Sequence, residues 1–218
     1  MATEAVAQDF LLKGGWFALR QAGRLMNDAA VLFDAGSYST AAGLALLSRE
    51  ELAKSRKLFA LWMRAHRGEQ VTRDQVVESI DMNHVEKQRH GASTFTIPVD
   101  ESTLEILTRG REGDPEKYEE ARRRMDAIFQ RLIKRAADTR HRLRLRAFYV
   151  DAAQGEASWL RPDDIRRGEA EEIVVDAGND YWQHRTPGMP GLASDINALN
   201  EALAAWVDKP PLPPAEFR

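Results

Sequence analysis

Gly36-Ser37-Tyr38-Ser39-Thr40-Ala41-Ala42 opens a stretch that continues through Arg49-Glu50-Glu51-Leu52-Ala53-Lys54. Its reading decides the fold. Glycine tolerates the left-handed conformation that closes a helix, and a serine just beyond it (Ser37 or Ser39) can cap the next one. From Leu44, steps of three and four residues give Leu44, Leu47, Glu51, Lys54, Leu58 and Leu61, one face of an α-helix kept in register. Glu51 and Lys54 stand inside that apolar stripe, one turn apart and opposite in sign. A lone buried charge is costly, so the pair is expected to be joined, used in chemistry, or both.

Working outward, Ala18, Ala22, Leu25, Ala29 and Leu32 form an apolar seam on a preceding helix, Gln8 to Ala35, whose first turns Gly14-Gly15 should weaken. A break as short as Gly36-Ser37 makes the two helices antiparallel neighbours. The second helix should stop at Gly68. Thr72-Arg73-Asp74-Gln75 reads as a capping box for a third, with Val76, Val77 and Ile80 as its buried candidates. Asp81 or Asn83 restarts the helix. Gly91 to Asp100 reads as a loop and Glu101 to Arg109 as a short helix. Asp114-Pro115 opens a long helix toward Leu145, since proline suits the first turn. Phe148 to Asp151 leaves it extended. Pro162-Asp163-Asp164 introduces a helix over Glu169 to Trp182, and Ser194 caps a last one to Val207. Lys209-Pro210-Pro211-Leu212-Pro213-Pro214 cannot be helical. Many helices with short links predict an all-α bundle.

The 218 residues suffice for one domain with its own core. With no cysteine, disulfides, zinc–thiolate sites and cysteine nucleophiles are excluded. No apolar run approaches a membrane span and the N-terminus lacks a basic start with an apolar core, so a soluble, cytoplasmic protein without membrane contact is expected. Net charge is −3, so any nucleic-acid binding must come from local patches. One patch stands out. Between Arg122 and Arg146 the long helix carries Arg122, Arg123, Arg124, Arg131, Lys134, Arg135, Arg140, Arg142, Arg144 and Arg146 against only Asp126 and Asp138. Such density suits RNA phosphates, with Arg131, Lys134, Arg142 and Arg144 as candidate contacts; it equally suits a solvated face paired with the acidic segment from Glu169 to Asp180.

A second constellation is His84 with Lys87, three residues apart on one helix face, preceded three residues earlier by Asp81. If that helix packs on the second, the row approaches Glu51 and Lys54 to make a polar core cluster. Such a cluster perturbs pKa values and marks a functional site, or it is a hydrogen-bonded network that fixes packing. No metal set, Gly-rich phosphate loop or serine-nucleophile motif appears, so neither metal nor cofactor is expected.

The order of these segments resembles the AbiV-type abortive-infection proteins of the HEPN superfamily. The likeness rests on the Gly-Ser-Tyr break, on Glu-Glu-Leu-Ala-Lys at 50–54, on Asn83-His84-Val85-Glu86-Lys87, on Arg146-Ala147-Phe148-Tyr149-Val150-Asp151, and on Trp159 to Pro162. It runs from about Phe10 to about Tyr181. The resemblance implies an antiparallel HEPN-like helical bundle over 8–182; it does not reach 183–218, which are expected to form a C-terminal helix and proline-rich strap packed on the same domain. It further implies a phage-defence effector, working as a metal-independent endoribonuclease or a translation-blocking toxin, and a homodimer. Arg135-Ala136-Ala137-Asp138-Thr139-Arg140-His141 fits the arginine, four-to-six residues, histidine pattern of HEPN ribonucleases. On a straight helix Arg135 and His141 stand about 120° apart, so they converge only through a kink or across a dimer cleft. The enzyme reading therefore takes either Arg135 with His141, or His84 with Lys87, as its catalytic pair. The other reading is a non-catalytic helical protein that senses or sequesters a phage or translation component.

Overall fold

In the computed structural model, residues 5–91, 101–109, 114–152, 159–184, 198–199 and 201–203 are described. Helices α1 (Gln8–Asp34) and α2 (Tyr38–His66) form the frame. Between them Gly36 takes φ 81°, the left-handed value that makes glycine the fitting residue there. Ser37 stands at the N-cap of α2, but its side chain makes no capping hydrogen bond. The pair is antiparallel: Gln8 Nε2, at the start of α1, donates to the Ala65 carbonyl near the end of α2, and the Ser48 hydroxyl donates to the Ala22 carbonyl midway.

Gly14 and Gly15 do not delay α1. They lie within it, and Gly15 is needed where α2 crosses, because a Cβ there would come within 2.5 Å of the Phe59 ring.

Gly68 closes α2 with φ 88°. The capping box that begins α3 (Arg73–Ile80) forms in both directions, Thr72 Oγ1 accepting from Gln75 N and Gln75 Oε1 from Thr72 N. Only Val76 of its three buried candidates is buried; Val77 and Ile80 are exposed. Asn83 starts α4 (His84–Gly91), its Oδ1 accepting from Glu86 N. Asp81 therefore closes α3 and does not share a helix with His84. After α5 (Glu101–Arg109), Asp114 caps α6 (Pro115–Phe148) by accepting from Lys117 N at 3.1 Å. The extended stretch beyond α6 includes a short strand, β1 (Asp151–Ala152), paired antiparallel with β2 (Trp159–Leu160). A 3-10 turn at Pro162–Asp164 then precedes α7 (Arg167–His184).

Apart from that two-residue ladder and an isolated bridge between Ala5 and Thr72, the described elements are helical, and the fold is all-α. α2 is the central helix, touched by α1, α3, α4, α6 and α7. One apolar cluster joins the first half of α1 to the second half of α2 and takes in Tyr181, Leu199 and Leu203. The other joins the far halves of α1 and α2 to Ala147 and to Ile173, Val174 and Ala177 of α7. Gly91, where the loop reading begins, is the last residue of α4; the rest of that loop and the proline strap fall on residues outside those described, and the last helix is represented by helical residues 198–199 and 201–203. No helix among the described residues is long and apolar enough to cross a membrane.

Candidate functional site

Encirclement of α2 sets which charges are buried. Arg49 and Glu50 are the buried charged residues of α2, whereas Glu51 and Lys54 lie at its margin. Lys54 Nζ pairs with Glu51 Oε1 at 2.5 Å, and the pair lines a cleft with Phe17, Val77, Ile80 and Asp81. Glu51, Lys54 and Asp81 are thus neighbours, but His84 is not among them.

His84 turns instead to Glu50. Its Nδ1 lies 2.8 Å from Glu50 Oε2. Gln88, one turn further along α4 and fully buried, donates from Nε2 to Glu50 Oε1 at 3.2 Å and to the Leu46 carbonyl at 2.8 Å. From α6, Arg144 brings Nε to 3.3 Å from the same Glu50 oxygen. His141, one turn before Arg144, stacks on His84 with ring centroids 5.9 Å apart and planes inclined by 13°. Three helices therefore converge on one carboxylate. α4 is seated closely enough for this because Gly91 packs on the Arg49 carbonyl, where a Cβ would come within 2.2 Å.

The electrostatics of the two rings differ. With Glu50 ionised, His84 carries its proton on Nδ1 and donates it to the carboxylate, which leaves Nε2 for other partners; the His84 side chain is about half exposed, at 46%. His141 is held below its ordinary pKa, first by burial and then by the positive charge of Arg144 and by His84, with Glu50 and Asp138 opposing. Its Nδ1 is buried and meets no hydrogen-bond partner among the described residues.

The two candidate histidines are thus brought together, and neither meets the partner expected for it. Arg135 is exposed and lines a groove between α6 and α7 with Arg140 and Asp176, away from His141. The helix α6 spans both positions as one element, so their angular separation persists. Lys87 is half-buried on α4 and is joined to Glu50, His141 or Arg144 by no hydrogen bond or ion pair among the described residues. Of the candidate RNA contacts, Arg131, Lys134 and Arg142 are exposed, whereas Arg144 is largely covered and forms an ion pair with Glu50 through an Nε that makes no hydrogen bond among the described residues. Part of the basic face pairs with the acidic segment, Arg146 with Glu169 and Arg140 with Asp176 at 3.9 Å.

Sequence reasoning missed Glu50 and Gln88. Gln88 was findable, four residues after His84 and so on its face. Glu50 was not, because helical spacing alone does not choose between adjacent glutamates on a helix buried on several sides. Among the described residues no group of carboxylates and histidines could hold a metal ion.

The family model described as AbiV, of the HEPN group, matches residues 10–183. The chain belongs to the AbiV family. AbiV proteins are abortive-infection proteins, and the family connects this chain to phage defence. The match begins within α1 and ends within α7, and it includes every residue around Glu50. Comparison with curated proteins gave no match, and comparison with solved structures gave none either.

Proposed function

We propose that this AbiV protein halts phage infection by cutting single-stranded RNA without a metal ion, with His84 and His141 as its proton carriers. The single observation that carries the reading is the stacked pair of imidazoles from two helices, one of them anchored on a buried carboxylate. RNA supplies its own nucleophile, the 2′-hydroxyl beside the scissile phosphate. His141, kept neutral at pH 7 by its lowered pKa, takes the 2′-hydroxyl proton. His84 gives a proton to the departing 5′-oxygen, and Glu50 orients its ring and balances the charge of the imidazolium. The 2′-oxygen bonds to phosphorus as the bond to the 5′-oxygen breaks, leaving a 2′,3′-cyclic phosphate and a 5′-hydroxyl. Rings 5.9 Å apart can each stand within about 3 Å of atoms of one phosphodiester. Arg131, Lys134 and Arg142 along α6 hold neighbouring phosphates, and a homodimer doubles that basic face.

The test is cleavage of a defined single-stranded RNA by the purified protein in excess chelator, beside His84→Ala and His141→Ala. Cyclic phosphate ends are expected, with a loss of about 100-fold or more in either variant. A folded wild-type protein that leaves the RNA intact returns the Glu50 network to a purely structural role and favours a non-catalytic protein that binds a phage or translation component. Light scattering on the same sample reads the oligomeric state.

A further inference from the structure

The cleft that holds the Glu51–Lys54 pair lies between α1, α2 and α3, with a volume of about 620 Å³ and apolar walls open to solvent. On α1, Phe17 is 60% exposed, and Phe10, seven residues earlier and so on the same side of the helix, is equally exposed. Gly14 stands between them without a side chain, which leaves a hollow between two aromatic residues about 10 Å apart along the helix axis. Val77 and Ile80 of α3, both exposed, form the facing wall. α3 starts beside the start of α1, where Ala5 and Thr72 are bridged, and closes at Asp81, at the Phe17 end of the cleft. Charge there is one-sided. Lys54 is joined to Glu51, whereas the Asp81 carboxylate makes no hydrogen bond or ion pair among the described residues. The last turn of α3, where a helix favours a cation, carries no basic residue. An apolar groove with an unmatched carboxylate at one end fits a stiff apolar segment led by a cation.

We propose that this cleft receives the chain's own segment Lys209-Pro210-Pro211-Leu212-Pro213-Pro214. Proline fixes φ near −65°, so such a run loses little entropy when held in the polyproline form, whose turn of three residues advances about 9.3 Å. That step matches the spacing of Phe10 and Phe17. Pro210-Pro211 lies against Phe17, Pro213-Pro214 against Phe10, and Leu212 faces Val77 and Ile80, the manner in which aromatic-lined grooves take proline-rich segments. Lys209 then meets Asp81 and the end of α3. The tether is long enough. Leu203, the last described residue, is buried in the same apolar cluster as Leu58, which lines the cleft, and the six steps from Leu203 to Lys209 span up to about 20 Å. The segment lies beyond the family match at 10–183, and the contact does not rest on the ribonuclease reading.

Because the chain has no cysteine, paired cysteine substitutions test the contact on the full chain. Under mild oxidation Leu212→Cys with Val77→Cys should close a disulfide within one chain, about tenfold or more faster than Leu212→Cys with Val31→Cys, an exposed position near the other end of α1. Denaturing gels without reductant separate closure within a chain from closure between chains. Adding Asp81→Lys should slow the Val77 cross-link by about threefold or more, and exchanging both charges, Asp81→Lys with Lys209→Asp, should restore it. Val77, Val31 and Asp81 are all exposed, so these variants keep the fold. The proposal is overturned if the two cysteine pairs close at equal rates, if neither closes, or if Asp81→Lys changes nothing. A disulfide formed only between chains overturns it too, because the occupant would then come from a second copy.

Discussion

His84 and His141 come from different helices, yet their rings lie nearly parallel with centroids 5.9 Å apart, and Glu50 fixes the first of them through a 2.8 Å contact. Arg144 and Gln88 close the same carboxylate from two further directions. The arrangement is decided by one buried residue of α2 and the two helices that cross it.

Adjacent glutamates on α2 should respond differently to truncation. Glu50→Ala removes a buried carboxylate and strands Arg144, so a loss of about 3 kcal/mol is expected. Glu51→Ala breaks a partly exposed pair with Lys54 and should cost about 1 kcal/mol or less. Urea unfolding of the two variants checks this; equal losses would mean that Glu50 is not the buried hub.

The Arg49–Asp180 pair ties α2 to α7. Asp180→Ala leaves the buried Arg49 guanidinium with only the half-exposed Asp176, 3.8 Å away, and should destabilise by about 3 kcal/mol. The double variant Arg49→Met/Asp180→Leu should regain part of that loss, since two apolar groups fill the space without a desolvation cost while Arg56 and Arg140 lose the Asp180 charge. A double variant no better than Asp180→Ala would refute this reading.

Gly91 is the close-packing point for α4. Gly91→Ala brings a methyl group onto the Arg49 carbonyl and should cost about 1–3 kcal/mol. Because α4 carries His84, the proposed ribonuclease activity would be lowered more by this substitution than by Gly68→Ala, whose Cβ meets nothing within 4 Å although its φ of 88° strains the backbone. Melting temperature and cleavage rate measured together separate the two effects.

Stability should fall as the pH drops below neutrality. Burial, Arg144 and His84 hold His141 below 6.5; burial and Lys57 do the same for His90. The unfolded chain therefore takes up these two protons first as the pH falls through about 6.5, so stability is fully present above that value and declines down to the lowered folded values. Asp114 and Asp164 have carboxyls held below 3.8 and titrate outside this window. His90→Gln should flatten the decline between pH 7 and 5 in urea midpoints; an unchanged slope would rule His90 out.

Much of the fold was legible because its signals are local. Gly36 and Gly68 end helices, Thr72 and Gln75 cap one, and Asp114-Pro115 opens another, each through bonds to residues a few positions away. The histidines were legible as residue types, and the Glu50 centre that joins them was not. A six-residue step on α6 says where Arg135 and His141 point relative to each other, but not which helix either one faces.

The sequence by itself determined the helices, their breaks and the family, since capping chemistry and left-handed glycines depend on the nearest neighbours in the chain. Tertiary structure decided which charges became interior. The stripe at Leu44, Leu47, Glu51 and Lys54 is only partly covered, while Arg49 and Glu50 are enclosed, because α2 is contacted by five other helices and not by one. Burial around a helix depends on how many partners surround it, and that number is not written in the helix's own periodicity.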